Sequence, residues 1–194
     1  MLVLALRAFG KVDILVNNAA VVSPLGKVWE VSPRAWQQAI NINLFGPYLF
    51  ARTLLPHMLE RGSGSIINVS SGAADLALEG ASAYTASKAG LERLSQTLAA
   101  EVKGTNIVVT VFRPGIVDTA MQAEIRDTPA NRFPQVERWH QWHQKGQLSS
   151  PSEPALGILW LASNFAHDAN GQLFSFNDEQ FRERLAVDLQ VELS

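Results

Sequence analysis

The chain has 194 residues, 47% hydrophobic and 18% charged, a balance that suits one compact α/β domain with a substantial core rather than a disordered chain. Its net charge of −2 argues against an electrostatic footprint for nucleic acid, and no apolar run approaches the roughly 20 residues of a membrane span. The absence of cysteine excludes disulfides, thiolate metal sites and thiol nucleophiles, and a cytoplasmic protein is expected.

Residues 2–10 read as the last turns of a helix, with Gly10 as its C-terminal stop. The segment VDILVNN (12–18) follows as a strand with apolar residues on both faces, the pattern of a buried parallel strand. Ser32-Pro33 pairs an N-cap with a proline at the first helical position, and the helix runs to about Glu60 with a break near Gly46-Pro47. Gly62-Ser63-Gly64 turns into a strand at 65–69. A second long helix covers about 83–102 and stops before Gly104. The strand 107–112 ends at Pro114-Gly115. Residues 116–150 read as irregular, with Pro129, Pro134 and the aromatic segment RWHQWH (138–143). A helix over about 152–162, a short strand at 172–176 and a polar tail at 177–194, in which RERLAVDLQ can form a helix, complete the chain. Strands alternating with helices predict a parallel sheet with right-handed crossovers.

The chemistry concentrates between Gly64 and Lys88. Tyr84 and Lys88 are four residues apart on a predicted helix, so they share a face. An ammonium beside a phenol is expected to pull the phenol pKa down from its ordinary ~10. Ser71 falls at the C-terminal end of a strand, where open α/β sheets place their ligands. Serine, tyrosine and lysine converging there can polarise a carbonyl and protonate its oxygen. Plainer readings stand beside this one. A tyrosine and lysine at this spacing occur by chance, Ser70 or Ser71 can cap a turn, and Asn43 can be a satisfied helix amide. His140 and His143 lack an acidic third partner nearby, so no metal site is expected.

Five stretches carry a wider pattern: DILVNNAA (13–20), NINLFG (41–46), the serine thirteen residues before the tyrosine, YTASK (84–88) and RPGIVDTAM (113–121). In that order they closely resemble the short-chain dehydrogenase/reductase family, over roughly residues 10–176. The resemblance implies a Rossmann-like, doubly wound parallel sheet and a hydride transfer between NADP or NAD and a carbonyl/alcohol substrate. It implies Ser71 as the hydrogen-bond donor to the substrate oxygen, Tyr84 as general acid/base, Lys88 as the group that tunes Tyr84 and binds the nicotinamide ribose, and Asn43 as holder of a relay water. Asn18, Ala19, Ile116 and Thr119, with Tyr84 and Lys88, would contact the cofactor, Pro114 and Gly115 would accompany them, and Asn17 would stabilise the sheet. Ala20 stands where many members have glycine.

The domain is expected over residues 1–176 with a substrate lid at about 116–150, followed by the tail 177–194. Trp139 and Trp142 in the lid suit a small, largely apolar substrate, and they equally suit simple packing of this segment onto the body. A homodimer or homotetramer is implied through helices 47–60 and 83–102, where Leu54, Leu55, Leu91, Leu94 and Leu98 recur at helical spacing; neither nucleic acid nor membrane is an expected partner. The chain departs from the family in a larger respect as well: no glycine-rich GxGxxG turn occurs in it. The first βαβαβ half is therefore expected to be largely missing, together with the residues that select between NADP and NAD, leaving strand 12–18 with a bare apolar edge. The competing reading is a truncated, non-catalytic binding or scaffold protein, or a fragment of a longer product.

Overall fold

A computed structural model describes residues 2–193. Helix α1 (Leu2–Phe9) leads into strand β1 (Ile14–Asn17), and Gly10 ends the helix with φ +72° and its N–H on the Leu6 carbonyl at 2.9 Å. Helices α2 (Pro33–Ile40) and α3 (Gly46–Arg61) form one rod interrupted by a π-helical turn at Asn41–Phe45. Its wide ring is closed by the Gly46 N–H on the Asn41 carbonyl, and Pro47, which has no N–H to give, begins the next helix. The expected break is thus a bulge. Strand β2 (Gly64–Val69), helix α4 (Ser82–Glu101), strand β3 (Ile107–Arg113) and strand β4 (Leu173–Ser175) complete the frame.

All four strands are parallel, in the order β1-β2-β3-β4, with Ile14 opposite Ser65, Ser65 opposite Val108, and Val111 opposite Leu173. Successive side chains on a strand point to opposite faces. Ile66 therefore enters a core against Leu54 and Met58 of α3, Leu98 of α4 and Val102 just after it, while Ile67 enters a second core on the other face with Phe112, Trp160 and Leu185. Helices on both faces make the sheet doubly wound. β1 is an edge strand here, and its Ile14 and Val16 are 41% and 39% exposed. Among the described residues no helix is long and apolar enough to cross a membrane.

Two expectations change. The segment 116–150 contains helices α5 (Ala120–Arg126) and α6 (Val136–Gln144). Their apolar side chains Ile125, Val136 and Trp139 close a third core with Val22, Leu25, Ala81 and Phe133. The helices are short, and prolines 129 and 134 stand in the connection between them, so the sequence period is broken before it becomes readable. The tail also folds: helix α8 (Glu179–Leu189) is capped by Asp178 and buries Phe181 and Leu185, four residues apart. It packs on helix α7 (Ser152–Leu161), where the Trp160 indole donates to Asp188 at 2.7 Å. That helix is continuous with the main core, so no boundary falls at residue 176.

Candidate active site

Parallel strands deliver their C-terminal ends to one edge of the sheet, and here those ends carry Asn18-Ala19 after β1, Ser70-Ser71 after β2 and Pro114-Gly115 after β3. Together with α4 and the α5–α6 segment they enclose a cavity of about 660 Å³. Of the residues expected at the site, Ser71, Tyr84, Lys88, Asn18, Ala19, Ile116 and Thr119 all line this cavity. Asn43 does not.

Lys88 is 3% exposed, and its Nζ donates to the Val69 carbonyl at 2.7 Å. Burial drives its pKa down to about 8, against the opposing charge of Glu92 one turn further along the helix. Tyr84 lies one turn earlier, with Lys88 Nζ 5.8 Å from its ring centroid. The expected fall in the phenol pKa is reversed. Burial pushes Tyr84 above the ordinary tyrosine value, and a hydrogen bond with Ser71 only partly opposes this. Both groups line one desolvated wall, which penalises the charged form of each, so loss of hydration outweighs their proximity. Ser71 is in extended conformation before the short turn Gly72–Asp75 and accepts the Ala73 N–H at 3.2 Å, so it caps that turn while facing Tyr84.

Asn43 lies inside the π-helical turn, 1% exposed. Its Oδ1 accepts the Val21 N–H at 2.9 Å, and its Nδ2 donates to the Val21 carbonyl at 2.8 Å and to Ser87 Oγ at 3.0 Å. Both amide hydrogens are spent on holding the β1 loop and α4 together, which leaves the side chain no donor for a water. Close approach of the π-helical turn to α4 depends on Gly90, where a Cβ would come within 2.9 Å of Leu44 Cδ2. Asn17 joins a buried chain: its Nδ2 donates to Asn68 Oδ1 at 2.8 Å, Asn68 Nδ2 donates to Ser95 Oγ at 2.8 Å, and Ser95 donates to the Leu91 carbonyl at 2.7 Å. That chain locks β1, β2 and α4 in register.

Several groups were not expected. Arg113, the last residue of β3, grips both oxygens of Glu92 at 2.8 and 2.7 Å and reaches Asp75 at 2.5 Å. These bonds raise the Arg113 pKa, and the guanidinium lowers that of Asp75. The clamp ties β3, α4 and the turn after Ser71 to one another. The legible clue was Glu92, four residues after Lys88 on the same helix face. Arg138 lines the cavity mouth, a placement no local spacing signals. Ser70 Oγ is buried at the cavity wall without a partner.

The donor set fits the nicotinamide-ribose end of a dinucleotide. Lys88 has used one of its three N–H donors, which leaves two for a sugar diol. Thr119 makes no capping bond at the start of α5, and the Ile116 carbonyl accepts the Ser149 N–H at 2.9 Å. Gly115, at φ +81°, admits Asn177 so closely that a Cβ would come within 2.5 Å of its Oδ1. Among the described residues no three His, Asp or Glu side chains gather as metal ligands.

Comparison with known proteins identifies the family. A family model described as short chain dehydrogenase matches residues 2–130. The 3-oxoacyl-(acyl-carrier-protein) reductase of Thermotoga maritima is 32% identical over 88% of this chain and 67% of its own length. A short-chain dehydrogenase/reductase from Saccharomyces cerevisiae superposes with a TM-score of 0.82 at 31% identity, covering 92% of this chain and 71% of that one. A gluconate 5-dehydrogenase from Burkholderia cenocepacia, in complex with NADP and tartrate, superposes with a TM-score of 0.76 at 26% identity, over 88% of this chain and 65% of that one. The chain spans about two thirds of the length of its first curated relatives, 67%, 66% and 66%. On the family model and on these identities, the chain belongs to the short-chain dehydrogenase family.

Proposed function

We propose that the protein is an NAD(P)-dependent oxidoreductase acting on a carbonyl/alcohol pair, with Tyr84 as general acid/base, Ser71 as substrate hydrogen-bond donor and Lys88 as ribose ligand and charge partner. One observation carries the reading: a buried lysine, a tyrosine one helical turn away and a serine facing that tyrosine share one cavity wall at the C-terminal edge of the sheet. A bound nicotinamide would supply or accept the hydride. In the reducing direction Tyr84, held neutral by burial, donates its proton to the carbonyl oxygen, which Ser71 also contacts. Lys88 is protonated below about pH 8 and stabilises the phenolate left behind. Asn43 acts as a positioning residue through its hold on Val21 and Ser87. The NADP complex of the Burkholderia dehydrogenase supports the choice of cofactor class.

Association as a dimer or tetramer is inferred through α3, on which Tyr48, Leu49 and Leu59 stay 40%, 45% and 48% exposed. Leu54, Leu91 and Leu98 are spent on the chain's own core. A second reading, non-catalytic binding through the exposed apolar edge of β1, is favoured by Ile14 and Val16.

The experiment is Tyr84→Phe in the protein isolated from its own cells, assayed with NADPH and NADH against aryl and alkyl ketones. Turnover is expected to vanish while cofactor affinity stays within a few-fold. Retained turnover refutes the acid/base role, and no turnover in the unaltered protein favours the binding reading.

A further inference from the structure

The cavity wall carries two positive charges and no carboxylate. Among the described residues only Lys88 and Arg138 are charged of the side chains that line it. Lys88 is engaged at the sheet edge. Arg138, in the first turn of α6, is exposed at the mouth, with its guanidinium stacked on the Trp142 ring 4.6 Å from the centroid. Among the described residues it makes no ion pair and no side-chain hydrogen bond. Stacking fixes the plane of a guanidinium while leaving its N–H edge free for a planar two-oxygen partner. Beside it, Phe133, Trp139 and Trp142 form a continuous edge-to-face run, each ring 5.0 Å from the next, backed by Leu25 and Ile125.

We propose that Arg138 is a specificity residue and that the substrate carries a carboxylate: an apolar, ring-bearing body against Phe133, Trp139 and Trp142, with the anionic group paired to Arg138. The inference rests on the carbonyl/alcohol reading above, which places the reacting carbon at Ser71 and Tyr84. A purely apolar substrate would leave this guanidinium unused at the cavity mouth. A carboxylate would meet two parallel N–H donors with no competing acid on the wall.

The test compares two ketones of the same shape, 4-acetylbenzoate and 4-acetylbenzamide, titrated into the full chain and followed by tryptophan fluorescence. The carboxylate is expected to bind roughly tenfold tighter at low salt, an advantage that shrinks as ionic strength rises. Arg138→Gln should bring the two affinities together, and Arg138→Lys should keep part of the preference, because a point charge replaces a fork. Equal affinities in the unaltered protein, no binding of either ketone at millimolar concentration, or a preference that survives Arg138→Gln would overturn the inference. So would an Arg138→Gln protein that loses NADPH affinity but keeps the preference, since its guanidinium would then serve the cofactor's pyrophosphate. Equal affinities with both ketones reduced remove the anion site and leave the oxidoreductase standing. A preference without reduction of either ketone does the reverse.

Discussion

Removing the Arg113 guanidinium tests whether the clamp beneath the site is a stabilising element. The Arg113 and Glu92 side chains are only 16% and 13% exposed, and two parallel hydrogen bonds of 2.8 and 2.7 Å join them. Arg113→Met would keep the volume of the stem and leave the Glu92 carboxylate largely buried without its partner. Breaking a fully buried pair in this way costs about 3–5 kcal/mol. The residual exposure of Glu92 and the nearby Lys88 ammonium soften this to about 2–4 kcal/mol, a large share of the ~5–15 kcal/mol typical of a domain. Removing both charges is different, since a packed apolar pair is often neutral. The Arg113→Met, Glu92→Met double variant should therefore recover most of the loss. Urea unfolding followed by tryptophan fluorescence measures the change as a shift in midpoint at constant slope. The reasoning fails if the single variant loses less than about 0.5 kcal/mol, or if the double variant loses the sum of the two singles.

The remaining predictions concern buried polar groups. Burial brings the Lys88 pKa down to about 8 in the folded chain from the ordinary lysine value of 10.5, so between these values the unfolded chain binds a proton that the folded chain does not. Stability due to Lys88 therefore rises with pH through that window, with a slope of at most about 1.4 kcal/mol per pH unit. Unfolding of the unaltered protein and of Lys88→Met, compared from pH 7.5 to 10, should show the difference growing in favour of lysine; a flat difference would contradict its burial as an ammonium. Ser95→Ala should cost about 1–3 kcal/mol, because it strands the Asn68 amide that now donates to Ser95 Oγ at 2.8 Å. A loss below about 0.5 kcal/mol by the same unfolding assay would mean that the chain from Asn17 to Leu91 is not stabilising.

Much of the frame was legible because it follows from local rules. The apolar runs at 14–17, 64–69 and 107–113 are strands, and the helices between them dictate parallel pairing. What stayed hidden depends on contacts far apart in sequence. Helices α5 and α6 are held by Val22, Leu25 and Ala81, about a hundred and about fifty residues away, and their own seven- and nine-residue periods are too short to read. Helix α8 looks polar because only Phe181 and Leu185 are buried, and neither declares itself until Trp160 and Phe174 supply the other side.

The site divides along the same line, and the division explains why spacing located its residues but not their ionisation. A four-residue separation on a helix places Tyr84 and Lys88 on one face whatever surrounds them. Whether a lysine lowers a tyrosine's pKa depends on which is larger, the charge it lends or the water both groups lose, and that balance is set by the wall around them. Here the wall is the third core around Tyr84, with Val22, Leu25 and Trp139, and the end of β2 around Lys88. It pushes the phenol up and the ammonium down. Below about pH 8 the pair therefore rests as a neutral phenol beside an ammonium, and the positive charge favours a phenolate formed next to it. The same argument separates Asn43 from its expected task. A single asparagine within NINLFG suggests a polar group at a helix break, but the π-helical turn buries it and Val21 and Ser87 consume its hydrogens. Its side chain ties Val21 to α4 through Ser87, and an Asn43→Ala change is expected to loosen both.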